Sequence, residues 1–123
     1  MERNNKEFSQ DLKVRIYKFI LRLIKFIELL PKNDDLCRVA RGQLIRSGTS
    51  IGANYIEAIA GSSKKDFANF LTHSLKSANE SKFWLAILRD SDKGDKKSIN
   101  DLLQELIEIS NILGSSVRTL KNK

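Results

Sequence analysis

Residues 47–58 read SGTSIGANYIEA, with two glycines four apart among hydroxyl side chains. Such a stretch is either a loop that cradles phosphate or a helix whose small residues let a neighbour come close. A phosphate loop of the Walker type needs G-x-x-x-x-G-K-[ST] between a strand and a helix, so that consecutive backbone N–H groups converge on the anion. No lysine follows Gly52, no strand pattern precedes Gly48, and the nearby GSSKK beginning at Gly61 lacks the spacing. On a helical wheel Gly48 and Gly52 fall on the same side as Leu44, Ile45, Ile51, Tyr55 and Ile59. Each glycine costs a helix about 1 kcal/mol relative to alanine. Two of them on the apolar side therefore point to close backbone packing against another helix, and nucleotide hydrolysis is not expected.

Working outward, Asp34 or Asp35 can cap this helix, which should run over 34–60 and stop at GSSKKD. Upstream, Leu12, Ile16, Phe19, Leu23, Phe26 and Leu30 recur at four- and three-residue steps, the pattern of one helix face. Ser9 is read as the N-cap of that first helix and Pro31 as its end, giving 9–30. A third helix over 63–90 begins after Ser62 or Ser63 and carries Phe67, Leu71, Ser74, Ala78, Leu85 and Leu88 towards the turn DSDKGDKK. The fourth, over 97–121, shows Ile99, Leu102, Leu106, Ile109, Leu113, Val117 and Leu120. Four amphipathic helices with short polar links and no alternating strand pattern predict an all-α, antiparallel up-down four-helix bundle, a single domain spanning 1–123.

The first helix has more apolar surface than one core contact needs. Val14, Tyr17, Ile20, Leu21 and Ile24 widen its apolar arc to roughly 240°, against the roughly 100° of an ordinary surface helix. Either a second subunit covers the surplus, which is the expectation adopted here, or the helix lies centrally within its own bundle. The remaining arc is basic: Arg15, Lys18, Arg22 and Lys25 follow at steps of three, four and three. In an oligomer, symmetry would repeat this stripe and concentrate positive potential. These four, with Arg38 and Arg41 as a second patch, are the expected phosphate contacts; the simpler alternative is a solvated helix face.

Opposite the glycines runs a polar stripe of Gln43, Arg46, Ser50, Asn54 and Glu57. The third helix has its own, Asp66, Asn69, His73, Ser77 and Glu80, with Trp84 on the same line. Pairing across helices, for example Arg46 with Glu80, would let these groups satisfy one another. The stripes are read as a structural network of Arg46, Ser50, Asn54, Glu57 and Glu80, with a recognition surface or small active site as the functional alternative. Ser47, Ser50, His73 and Glu80 can be arranged into a triad on paper, but their spacing does not demand it. No catalytic residue and no cofactor is expected.

Composition narrows the classes further. The 123 residues include 22 Lys and Arg against 15 Asp and Glu, a formal charge of +7. An anionic partner such as RNA, DNA, an acidic protein or an anionic lipid surface is favoured by that balance. Cys37 and His73 are single residues of their type, so neither a disulfide framework nor a Cys/His zinc site can be built. The N-terminus MERNNKEFSQ is polar and unlike a secretory signal, and five lysines and arginines interrupt the apolar region from Leu12 to Leu30. A cytoplasmic protein without a membrane span is expected.

The run from Gln43 to Leu88 resembles the small bacterial four-helix-bundle proteins encoded in intervening sequences of 23S rRNA genes. That family is similar to R-x-x-x-S-I-x-x-N-x-x-E on the second helix, matched here by Arg46, Ser50, Ile51, Asn54 and Glu57. S-x-x-[DE]-F and a later glutamate follow on the third, matched by Ser63, Asp66, Phe67 and Glu80. KFWLAIL from Lys82 resembles a branch with tryptophan at this point, whereas Ala58-Ile59-Ala60-Gly61 departs from the common A-E-G ending. The outer helices match only by pattern and length. The resemblance implies a homopentamer of antiparallel bundles, with RNA or DNA binding inferred from genomic setting and basic surface. The accessory protein of diversity-generating retroelements is similar in fold and pentameric state, so the alternative is a protein-interaction module whose partner is a reverse transcriptase.

Overall fold

The computed structural model describes residues 5–121; the first four residues of MERNNKEFSQ and the last two of the chain lie outside the described residues. It contains α1 (Asn5–Glu28), α2 (Asp35–Ile59), α3 (Lys64–Asp90) and α4 (Lys96–Lys121), and no strand among the described residues. Successive helices pack in order and α4 returns to α1, closing an up-down four-helix bundle. The α2–α3 seam is the most extensive and the α1–α4 seam the sparsest.

The ends of the helices follow from local chemistry. Asp34 accepts from the N–H of Cys37 at 2.9 Å and Ser63 from that of Asp66 at 3.1 Å, so each side chain satisfies a donor that has no partner within its helix. Asp95 does the same for Ser98 ahead of α4, at 2.9 Å. The expected cap at Ser9 is corrected: α1 is already helical at Asn5, and Ser9 lies inside it. No helix breaker stands between Asn5 and Leu12, and Glu7 in the first turn favours the positive end of the helix dipole. At its other end α1 stops at Glu28, because Pro31 disfavours helical geometry at Leu30. The freed carbonyls of Leu30 and Pro31 accept from Arg41 Nη2 at 2.8 and 3.2 Å.

The core is one cluster built from the predicted stripes, including Ile16, Phe19, Leu23, Leu44, Ile51, Leu71, Leu85, Leu106 and Ile109. Small residues set the helix spacing. At the α2–α3 seam the buried hydroxyls of Ser47 and Ser81 bond at 2.8 Å, and Ser74 donates to the Ile51 carbonyl at 2.7 Å. At the α1–α2 seam a Cβ on Gly48 would overlap Leu23 Cδ2, and one on Gly52 would come within 2.8 Å of Ile20 Cδ1. The glycines of the SGTSIGANYIEA stretch are thus the surface on which α1 rests.

Candidate functional site

The surplus apolar face of α1 is not covered within the bundle, since α1 packs at the periphery between α2 and α4. Tyr17 is 63% exposed, and Val14 and Leu21 are exposed beside it. Together with Ile20, Gly52, Ala53 and Ile56 they line a groove of about 570 Å³ between α1 and α2. Gly52, which contributes no side chain, leaves room at its floor, and Lys13 and Lys18 stand at its edge.

The six cations predicted to contact phosphate meet different fates. Arg15 is turned towards α4, where Nε and Nη2 donate to Glu105 at 2.7 and 2.8 Å, and Nη2 also donates to Glu108 at 3.0 Å. The hydrogen bonds to Glu105 chiefly raise the affinity of Arg15 for its proton, and Arg15 in turn holds the Glu108 carboxyl below its usual range. Arg38 pairs with Asp35, and Arg41 caps the end of α1. Lys18, Arg22 and Lys25 are exposed and have no ion-pair partner among the described residues. Arg22 and Lys25 border a hollow of about 410 Å³ whose other wall carries Asp95 and Asp101 from the start of α4. Opposite the cations of α1, then, stands an acidic row on α4. Sequence reasoning missed this row because each carboxylate, read along α4 alone, looks like ordinary solvated surface.

The polar stripes of α2 and α3 meet in part. Arg46 donates to Glu80 and, at 3.0 Å, to Gln43. Asn54 donates to the Ser50 carbonyl and hydroxyl at 2.9 and 2.8 Å, and Ser77 donates to Ser50 at 3.0 Å. Glu57 is exposed and stands apart from these contacts. Trp84 is half-buried with Phe83 edge-on at 5.3 Å between ring centroids. Of the four residues that could form a triad on paper, Ser47 is buried against Ser81, Ser50 bonds Asn54 and Ser77, Glu80 bonds Arg46, and His73 is exposed without a hydrogen bond to any of them. No nucleophile is paired with a base in this arrangement. Among the described residues no group of His, Cys, Asp and Glu could hold a metal ion, and no helix is long and apolar enough to cross a membrane.

Near the loops, Lys93 bonds Asp34 at 2.6 Å, tying the α3–α4 turn to the α1–α2 link. That bond, with the backbone N–H of Cys37, lowers the Asp34 carboxyl to about 2. Gly94, at φ 81°, lets the turn pack on Phe26 and Leu30.

A comparison with curated proteins found no match. Among solved structures, a protein of unknown function from the S23 ribosomal protein family of Bacteroides thetaiotaomicron VPI-5482 is similar, with a TM-score of 0.81 and 31% identity. The alignment covers 89% of this chain and 97% of that one. The profile of the 23S rRNA-intervening sequence protein family matches residues 7–115, a span that takes in the Arg46–Glu80 stripes and the basic row of α1 alike. The chain belongs to the 23S rRNA-intervening sequence protein family.

Proposed function

We propose that this protein is a non-catalytic, cytoplasmic bundle that assembles with copies of itself, as a homopentamer, and presents basic surface to RNA or DNA. The observation that carries the reading is the uncovered α1–α2 groove, where Val14, Tyr17, Leu21 and Ile56 expose apolar surface over a glycine floor. Exposed apolar surface that is contiguous, rather than scattered, marks an interaction face. Covering these half-exposed side chains contributes about 1 kcal/mol each, and association itself costs at least about 4 kcal/mol. An assembly therefore needs more contact area than this groove, as a ring in which each subunit meets two neighbours would supply. The charge of +7 supplies attraction for a phosphate backbone. The saturated hydrogen bonds of Arg46, Ser50, Asn54 and Glu80 fit a structural part for that network.

The test is the mass of the protein in solution, for the wild type and for Tyr17→Glu and Leu21→Glu, with RNA and duplex-DNA binding measured in the same buffers. The reading expects a wild-type oligomer that both substitutions reduce to helical monomers. A wild type that stays monomeric at high concentration overturns assembly. A stable oligomer that binds neither nucleic acid at low salt favours the second reading, a protein-interaction module serving a partner such as a reverse transcriptase.

A further inference from the structure

Charge is segregated around α4. Its acidic row faces α1: Glu105 and Glu108 bond Arg15, and Asp101, paired with Lys97 within α4, lines the hollow that Arg22 and Lys25 border. The acids of α3 also point away from α4 or are used locally, Glu80 to Arg46 on α2, Asp66 to Ser62, and Asp90 to Arg89. What remains along the α3–α4 seam is cationic. Lys64 and Lys65 border a hollow of about 330 Å³ with Ala68 and Leu120. Farther along, Arg118 lies over Gly114 beside Leu75, and Lys82 donates to Ser110 at 3.0 Å. Lys65, Lys76 and the exposed Phe83 fall within roughly 20° of one another on α3. Lys121 stands three residues beyond Arg118, on the same side of α4. None of these six cations has a carboxylate partner among the described residues, and all but Lys82 are exposed.

We infer that the α3–α4 face, carrying Lys64, Lys65, Lys76, Lys82, Arg118 and Lys121, is the surface that binds the phosphate backbone of a nucleic acid. The inference rests on the nucleic-acid reading above and relocates its contacts from α1. Physical grounds favour this face. On α1 an approaching phosphate meets the field of the α4 carboxylates as well as that of Lys18, Arg22 and Lys25, whereas on the α3–α4 face the nearest acid among the described residues of α3, Glu80 one turn from Lys76, is engaged by Arg46. From Lys65 to Lys76 the row runs ~17 Å at 1.5 Å per residue, long enough to reach more than one phosphate of a strand. Exposed Asn69 and Asn79 beside the row supply neutral donors, and Phe83 an aromatic face. The α3–α4 seam is also across the bundle from the α1–α2 groove, so the groove's own contacts do not cover it.

Two variants with equal loss of charge test the assignment: Lys65→Gln/Lys76→Gln/Arg118→Gln, and Lys18→Gln/Arg22→Gln/Lys25→Gln. Glutamine keeps helix propensity close to that of lysine and arginine, and circular dichroism and solution mass verify fold and assembly. Binding of a fluorescent single-stranded RNA and a duplex DNA is followed across a salt series. The α3–α4 variant is expected to lose about tenfold or more in affinity at low salt and to flatten the slope against log salt on duplex by about 3. The α1 variant should change little, and Lys65→Arg/Lys76→Arg should bind as the wild type does. Equal losses in the two triple variants, or a loss confined to the α1 variant, overturn the assignment while leaving nucleic-acid binding intact. A wild type that binds neither probe overturns both. Vesicles of phosphatidylcholine and phosphatidylglycerol that displace the RNA and need the same three residues would overturn it in favour of a lipid surface.

Discussion

Arg15 on α1 grips Glu105 on α4 through two parallel hydrogen bonds, Nε to Oε2 at 2.7 Å and Nη2 to Oε1 at 2.8 Å. This clamp spans the seam with the fewest contacts. Its side chains are 36% and 19% exposed, so water and salt reduce its worth to about 1 kcal/mol despite the bidentate geometry. Arg15→Gln is expected to lower the melting temperature by about 4 °C, whereas Lys18→Gln changes it little. A double-mutant cycle with Glu105→Gln isolates the pair, and a coupling of zero would show that this pair adds nothing to the hold of α4 on α1.

The Asp34 carboxyl sits at about 2 in the folded protein against an ordinary 3.8, chiefly because Lys93 bonds its charged form. A depressed carboxylate stabilises the fold fully above the unfolded value and loses that contribution as pH falls through the folded one. Its share of acid unfolding therefore lies between about pH 4 and pH 2. Asp34→Asn keeps an oxygen for the Cys37 N–H but loses the bridge to Lys93, so acid unfolding should be shallower across that window. Asp34→Ala loses the cap as well and should melt below Asp34→Asn. An unchanged acid limb in Asp34→Asn would assign the sensitivity to other carboxylates, of which Glu108 is held down by Arg15.

Three glycines of α2 should respond differently to alanine. Gly42 has open space where a Cβ would stand, so Gly42→Ala is expected to stabilise by about 0.5–1 kcal/mol through helix propensity. At Gly52 the new methyl meets the tip of half-buried Ile20, which can swing aside. At Gly48 it meets Leu23, which is 1% exposed and packed in the core. Overpacking of that kind costs about 1–3 kcal/mol and outweighs the propensity gain. Denaturant unfolding should rank the variants Gly42→Ala, Gly52→Ala, Gly48→Ala from most to least stable; Gly48→Ala above wild type would mean that α1 is free to move away.

Cys37 is fully buried at the start of α2, and burial raises its thiol above the ordinary value. Only the thiolate reacts quickly. A neutral thiol reagent at mildly alkaline pH should label native protein far more slowly than protein unfolded in guanidinium, with a rate that tracks opening of the N-terminal end of α2. Equally fast labelling in both states would show that this end opens freely.

Much of the fold was legible because helix-forming information is local. The apolar steps from Leu12 to Leu30 are all buried, and Asp34 and Ser63, each one of two candidates, are the caps. Ser9 misled because a serine caps only if the chain before it leaves the helix, and the preceding residues do not. The glycine pair was readable as a contact patch, yet its occupant, α1 through Leu23 and Ile20, was not named by any spacing within α2.

By itself the sequence determined four helices, their apolar faces, the net positive charge and the polar stripes, since each depends on neighbours three or four residues apart. Only the tertiary structure decided which charges cancel. Arg15 and Glu105 are separated by 90 residues, and their meeting depends on the rotation of α1 and α4 about their own axes when the core packs. The same packing turned Glu105 and Glu108 of α4 towards α1 and Arg118 towards Leu75 of α3. Coulomb energy acts across space rather than along the chain, so a basic row read from one helix is a surface potential only after the neighbouring helix is in place.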